Sequence, residues 1–408
     1  MTVSLADIEK AAAVLAGKIV RTPLVPAVGL ADDWGVDLHL KLENLQRAGS
    51  FKTRGAYVMM SRLPPEVSHT GVIAMSAGNH AQGVAYSARQ LGIPATIVMP
   101  EQTPFTKVER TRRYGARVIL KGETLGECAA HAEEIAAREK LVFVHPYDDP
   151  DIIAGQGTIG LEMLADMPDL EVLVVPIGGG GLIGGIATAA KALNPAIEII
   201  GVEASLYPSM HEAINNLPAS SAGQTLAEGI AVKQPGVLNR EIVARLVDDI
   251  ILVDESAIER AVQLLIEDQK LVAEGAGAAG IAAIMTNLER FRGRKVGTVI
   301  CGGNIDSRLL SSVLLRGLAR DGKLVRIRCE ISDSPGVLAK IAGLIGQCGG
   351  NIVEIYHQRL FYNVPVKLAE LDAVIETRTP EHAREIMDAL TSAGIPTKLL
   401  GGATPEGY

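Results

Sequence analysis

Residues 171–203 read EVLVVPIGGGGLIGGIATAAKALNPAIEIIGVE, and their order decides the fold. A valine-rich apolar run breaks at Pro176 and four glycines, gives way to an alanine-containing helical stretch, and returns as a second apolar run ending in Glu203. Continuous rather than alternating apolarity marks a strand buried on both faces, as in a parallel sheet covered by helices. Val172 to Ala190 carries no charge and approaches the length of a membrane span, but Pro176 and six glycines divide it into strand, loop and buried helix.

The same unit recurs outward in both directions. TGVIAMS (70–76), ATIVMP (95–100), ARVILK (116–121), LVFVHP (141–146) and KVGTVICGG (295–303) are further β-branched runs separated by alanine-rich helical stretches. About 300 residues of such alternation predict an α/β fold with open parallel sheets, whose ligands bind beyond the carboxyl ends of the strands. Near residues 316–324 the composition turns charged and loses periodicity, which reads as a linker. Beyond it, VRIRCEIS alternates like a half-exposed strand, and SPGVLAKIAGLIGQCGG reads as a helix opened by proline and closed by glycine. NIVEIYHQRL and KLAELDAVIETR are strand-like, PEHAREIMDALTSAG is helical and PTKLL is a last strand, giving the β-α-β-β-α-β order of a ferredoxin-like module.

Composition narrows the function. The 408 residues suffice for two or three domains, and at 48% hydrophobic content they can fill large cores. Against 47 acidic residues stand 39 lysines and arginines with no long basic run, so neither nucleic acid nor an anionic membrane is the expected partner. Aromatic content of 3% also leaves few stacking platforms for single strands. The N-terminus interrupts its apolar pattern with Asp7, Glu9 and Lys10, as an amphipathic helix does and a signal peptide does not. Cys128, Cys301, Cys329 and Cys348 lie far apart, without C-x-x-C spacing, and read as reduced thiols of a cytoplasmic protein.

Four segments carry candidate chemistry. In GSFKTRGA (49–56) a lysine, Lys52, sits among apolar and small residues, behind Ser50 placed as a helix N-cap. In the opening stretch, Gly179, Gly181 and Gly184 fit G-x-G-x-x-G with Glu203 about 20 residues on, the dinucleotide fingerprint. Four consecutive glycines, Gly178, Gly179, Gly180 and Gly181, equally suit a single phosphate ahead of a helix N-terminus, or simply a tight strand-to-helix crossing. MSAGNHAQGVA places Ser76, Gly78, Asn79 and His80 at a helix start, suited to a carboxylate or to plain capping, with His80 equally a packing histidine. VICGGN runs a strand into Cys301 and Asn304, the cysteine being either functional or a small buried hydrophobe. A lysine together with a phosphate cradle is what a pyridoxal phosphate enzyme needs, the amine holding the aldehyde and the cradle the phosphate.

KLENLQRAGSFKTRGA, SAGNHAQGVA, HPYDDPDIIAGQGTIGLE, GGGGLIGG, TLAEGIAVKQPG, VAEGAGAAG and CGGNID, in this order, resemble the threonine dehydratase (threonine ammonia-lyase) group of fold-type II pyridoxal phosphate enzymes. The resemblance covers residues 1–320, with a smaller subdomain of about residues 50–150 inserted in a larger one. Residues 321–402 resemble an ACT domain, leaving 403–408 as a tail.

The resemblance implies that Lys52 forms a Schiff base with pyridoxal 5'-phosphate while Phe51 packs against the ring. It further implies that Asn79 bonds the ring hydroxyl, that Gly178, Gly179, Gly180, Gly181 and Leu182 hold the phosphate, and that Cys301 faces the ring nitrogen. Ser76, Asn79 and His80 would bind the substrate carboxylate. Many relatives carry serine at Cys301, so hydrogen bonding there should be weaker here.

The activity implied is β-elimination of L-threonine, and of L-serine, to 2-oxobutanoate or pyruvate and ammonia, in a biosynthetic or a catabolic role. Racemases of this group place a serine at the position of Ala77, and alanine cannot transfer a proton. Alternatives are a dehydratase or racemase for serine or 3-hydroxyaspartate, a nicotinamide-dependent oxidoreductase, and an amino-acid sensor with a decayed catalytic half. A monovalent or divalent cation is expected at Glu203, against the reading of a structural surface glutamate; Ser209 stands where serine racemases have aspartate. Glu274 lies near the ring or in a salt bridge elsewhere. An amino-acid effector is expected near Asp333, Gly336 and Asn351, at a contact between two modules, and the protein is expected to be a homo-oligomer, dimer or tetramer.

Overall fold

The computed structural model describes residues 3–358 and 368–400, in two compact units, Met1–Ile305 and Asp306–Tyr408. In chain order the strands of the first unit are β1 (Leu24–Pro26), β2 (Asp37–Lys41), β3 (Val72–Met75), β4 (Ala95–Met99), β5 (Arg117–Leu120), β6 (Val142–Phe143), β7 (Val172–Pro176), β8 (Glu198–Ala204), β9 (Asp249–Val253) and β10 (Lys295–Val299). They form two sheets. A six-stranded sheet, ordered β1-β2-β10-β7-β8-β9, is parallel except for β1, and a parallel four-stranded sheet has the order β5-β4-β3-β6. The smaller sheet thus falls between β2 and β7 of the larger.

Burial explains the apolar runs. Every residue of β4 and of β7 is buried, so no position is left for the polar half of an alternating pattern. The opening stretch forms β7, a glycine turn, the helix Gly181–Leu193 and β8, the turn falling at the carboxyl end of its strand. There the chain needs glycine at Gly180, whose φ is +95°. The amphipathic N-terminus is the helix Leu5–Leu15, started by a capping box between Ser4 and Asp7.

The second unit begins with the helix Ser307–Arg320, N-capped by Asp306, where composition suggested a linker. Its Val313 and Gly317 are buried, so the charged residues that hid the pattern occupy its other faces. Four strands follow, β11 (Leu324–Ser332), β12 (Asn351–Gln358), β13 (Leu368–Glu376) and β14 (Thr397–Leu400), antiparallel and ordered β12-β13-β11-β14. With the helices Val337–Gln347 and Pro380–Ser392 they realise the β-α-β-β-α-β order. Alternate residues of β11, Val325, Ile327, Cys329 and Ile331, are buried, which is why this segment alternates in sequence while β7 does not.

Candidate active site

Local sequence makes the lysine segment tight, and distant residues fix it. Ala48 and Gly49 adopt φ of +59° and +72°, turning the chain into the helix Lys52–Ser61. The segment is stitched to the end of β10: Ser50 bridges Gly302, the Phe51 N–H donates to the Cys301 carbonyl at 3.2 Å, and the Gly303 N–H donates to Gly49 at 3.0 Å. Two of the segments that looked independent in sequence therefore form one wall. Ser50 is not the cap: its backbone is extended, Phe51 occupies the cap position, and the buried Ser50 hydroxyl has no partner among the described residues.

The Lys52 ammonium donates to the Pro146 carbonyl at 2.7 Å and lies 5.1 Å from the Phe51 ring centroid. Two residues on, Arg54 is wholly buried and paired with Glu43 at 2.7 and 2.9 Å and with Glu162 at 2.7 and 2.9 Å. Lys41, also buried, completes the cluster by donating to Glu162 and to the Thr22 carbonyl, both at 2.6 Å. Two cations and two carboxylates, all buried except the partly exposed Glu162, satisfy one another and in doing so lock the helix that begins at Lys52.

Lys52 opens into a cavity of about 300 Å³. Phe51, Ser76, Ala77, Asn79, His80, Leu182, Glu274, Cys301 and the four glycines all line it, whereas Gly184, Glu203 and Ser50 do not. Gly184 instead packs against Asn239, and Glu203 accepts the N–H groups of Met210 and His211 at 2.8 and 2.9 Å. The third glycine and the acid of the dinucleotide fingerprint are thus spent on packing and capping. Glu203 is fully buried rather than a surface residue, and burial pushes its carboxyl up to about 7. Ser209 beside it is buried, and among the described residues its hydroxyl has no partner and no group of three metal-ligating side chains forms.

Electrostatics set protonation in the cavity. Burial brings the Lys52 amine down to about 8. Burial raises the Glu274 carboxyl to about 7, although Asn79 donates to it at 2.5 Å, and pushes the Cys301 thiol far up, so that it stays neutral. Glu274 therefore sits at the cavity, not in a salt bridge. His80 is brought down to about 3 by burial and by Lys52, and its ring bonds the Val144 carbonyl at 2.9 Å. That is the packing histidine, so any contact of His80 with a carboxylate falls to its backbone N–H at the start of the helix Asn79–Leu91.

Sequence reasoning left several lining residues without a role. Asn304 donates to Asn79 at 2.8 Å, so a chain of amides runs from Asn304 through Asn79 to Glu274. Lys107 and Glu228 pair at 2.6 Å and also line the cavity. The Tyr147 ring lies where a side chain at Gly179 would have to go, and the Tyr147 backbone where one at Gly181 would. One signal was available for this segment. In DDP (148–150) a single aspartate suffices to cap the helix Pro150–Asp166, and Asp149 does so, which leaves Asp148 to be explained.

The arrangement fits a phosphorylated aldehyde. The helix Gly181–Leu193 starts without a side-chain cap, its first N–H groups free for an anion, and the preceding glycines are packed so closely that no side chain could intrude. Across the same cavity stands an amine that burial has made partly neutral and hence nucleophilic near neutrality.

Comparison with known proteins agrees. Residues 15–302 match the family model described as pyridoxal-phosphate dependent enzyme. An L-threonine ammonia-lyase of Thermotoga maritima is 43% identical over 98% of this chain and 100% of its own length. A catabolic L-threonine dehydratase of Staphylococcus aureus is 46% identical over 78% of this chain and 93% of its own. Among solved structures, threonine deaminase isoform 2 of Solanum lycopersicum superposes with a TM-score of 0.72 at 37% identity, covering 76% of this chain and 91% of that one. Maize serine racemase gives 0.73 at 33%, covering 78% and 98%.

Proposed function

The chain belongs to the pyridoxal-phosphate dependent enzymes, and on that premise we propose that it is an L-threonine ammonia-lyase, acting also on L-serine. The observation that carries this reading is identity of 43% along the whole of a threonine ammonia-lyase, with Lys52, the glycine loop and the Asn79 helix start facing one cavity.

When bound, pyridoxal phosphate supplies an aldehyde for amines and a ring that accepts electrons from Cα. Gly178, Gly179, Gly180, Gly181 and Leu182 hold its phosphate through backbone N–H groups at the start of the helix Gly181–Leu193. Ser76, Asn79 and the first N–H groups of the helix Asn79–Leu91 hold the substrate carboxylate and so orient Cα towards Lys52. The Lys52 amine takes the Cα proton; brought down to about 8, it is sufficiently neutral near physiological pH to do so. Cys301, neutral at the cavity wall, would add no negative charge there when the cofactor is bound. The β-hydroxyl leaves as water, water returns on hydrolysis, and the net change is threonine to 2-oxobutanoate plus ammonia.

Racemisation is the rival, favoured by the likeness to maize serine racemase. It needs a second proton-transfer group facing the substrate, and Ala77, which lines the cavity, has none. Incubating the purified enzyme with threonine, serine and 3-hydroxyaspartate, and measuring 2-oxo acid and enantiomer ratio together, separates the readings. Faster interconversion of L- and D-serine than pyruvate release would overturn the lyase.

The second unit we read as an ACT-type amino-acid sensor. Asp333 and Gly336 follow the end of β11, whereas Asn351 lies opposite Glu376, which pairs with Leu324 at the start of β11. One copy therefore separates these residues by the length of a strand, and an effector using all three needs a second copy, consistent with a homo-oligomer. A cation at Glu203 would draw on the Ser209 hydroxyl; melting temperatures unaffected by potassium or magnesium would remove it.

A further inference from the structure

We propose that Asn239 is the positioning residue of the phosphate cradle, acting through the backbone of the glycine loop without touching the cofactor. Asn239 is fully buried in the first turn of the helix Val237–Leu246 and does not line the cavity. Its side-chain amide donates to the Gly179 carbonyl at 3.1 Å and to the Tyr147 carbonyl at 2.9 Å. Its own carbonyl oxygen has no partner among the described residues, so what the side chain contributes is its pair of N–H donors.

Those donors join three segments distant in sequence. The Gly179 carbonyl also accepts from the Gly236 N–H at 3.0 Å, so this loop peptide is held from two sides. Tyr147 follows Pro146, whose carbonyl receives the Lys52 ammonium. Asp148 in turn accepts the N–H groups of Val237 and Leu238 at 2.9 and 3.0 Å, capping the helix that carries Asn239. A side chain at Gly236 would collide with Asp148 and with the Asn239 amide, and one at Gly180 would meet the Asn239 side chain at 2.7 Å.

The consequence is geometric. Fixing the Gly179 carbonyl fixes the plane of the Gly179–Gly180 peptide, and with it the direction of the Gly180 N–H at the mouth of the helix Gly181–Leu193. Glycine is the residue least able to hold such a direction by itself, since its backbone is freest. Four in a row therefore need an external clamp, and Asn239 is placed to be it. This inference depends on family membership alone and stands whether or not threonine is the substrate.

The test separates positioning from general stability by comparing two cofactor forms on the full-length chain stripped of cofactor. Dissociation constants are measured spectroscopically for pyridoxal phosphate and for pyridoxal, which lacks the phosphate. In N239A the phosphate form should bind about tenfold or more weakly, the scale of two lost hydrogen bonds. Pyridoxal binding should change little, while the melting temperature of the cofactor-free chain falls with the two lost hydrogen bonds, so the ratio of the two dissociation constants is the readout. N239D keeps the size of the side chain, turns an acceptor towards the two carbonyls, and should lose the preference for phosphate at least as far. Equal weakening of both forms, or an unchanged preference for phosphate in both variants, would overturn the proposal.

Discussion

Lys52 is an amine that folding makes reactive. Its position at a helix start would ordinarily be solvated, but burial at the cavity disfavours the charged form and outweighs the Phe51 ring and the Pro146 carbonyl, which favour it. Replacing Lys52 with alanine should reduce 2-oxo acid release by at least about 10³-fold and abolish visible absorbance from covalently held cofactor. At Ala77 the expectation is a gain. A77S adds a hydroxyl to the cavity wall and should raise serine racemisation above that of the parent enzyme, measured by chiral chromatography, while pyruvate release persists. No gain in D-serine would mean that Ala77 does not decide between the two reactions.

At the scale of elements, the ion cluster under the Lys52 helix is the most exposed to mutation. Arg54→Ala leaves the buried Glu43 without its cation and Glu162 short of one partner, and should cost about 3–5 kcal/mol of stability, read by denaturant unfolding. The buried Glu203, capping the turn at Met210 and His211, gives a pH signature. Its carboxyl lies near 7 in the folded chain against 4.5 unfolded, so the folded state binds more protons between those values. That contribution to stability is complete below pH 4.5 and lost as the pH rises through about 7. In E203Q the dependence of melting temperature on pH across this interval should flatten; an unchanged slope would place the titration elsewhere.

These elements also show what could be read in advance. The seven apolar runs named from sequence are β3, β4, β5, β6, β7, β8 and β10, because strands buried on both faces advertise themselves. β2 does not read as a strand because its DLHLK carries Asp37, His39 and Lys41, and Lys41 is tolerated in the core by pairing with Glu162, 121 residues away, and with the Thr22 carbonyl. Likewise Lys52 and the glycine loop were legible as local oddities. The Asn79–Glu274 bond, spanning 195 residues, and the Asn239 clamp leave no local trace, since each is made by chain paths meeting in the fold.

For the whole molecule, every residue lining the cavity lies in the first unit, Met1–Ile305. The staphylococcal dehydratase, 93% of whose length aligns with 78% of this chain, shows a relative made almost entirely of the part matched. Removing residues from Leu324 onward should therefore leave kcat within about threefold, under ~1 kcal/mol in barrier, while abolishing any response to valine, isoleucine or serine. An unaltered response would dissociate regulation from the β-α-β-β-α-β unit. That Lys52 in this cavity carries out an elimination is tested by incubating the purified, cofactor-loaded enzyme with L-threonine and quantifying 2-oxobutanoate and ammonia beside K52A. Equal amounts of both products are expected from the parent enzyme and none from the variant. Cofactor-loaded enzyme that releases neither product, or K52A that releases both at the parent rate, would contradict that role of Lys52.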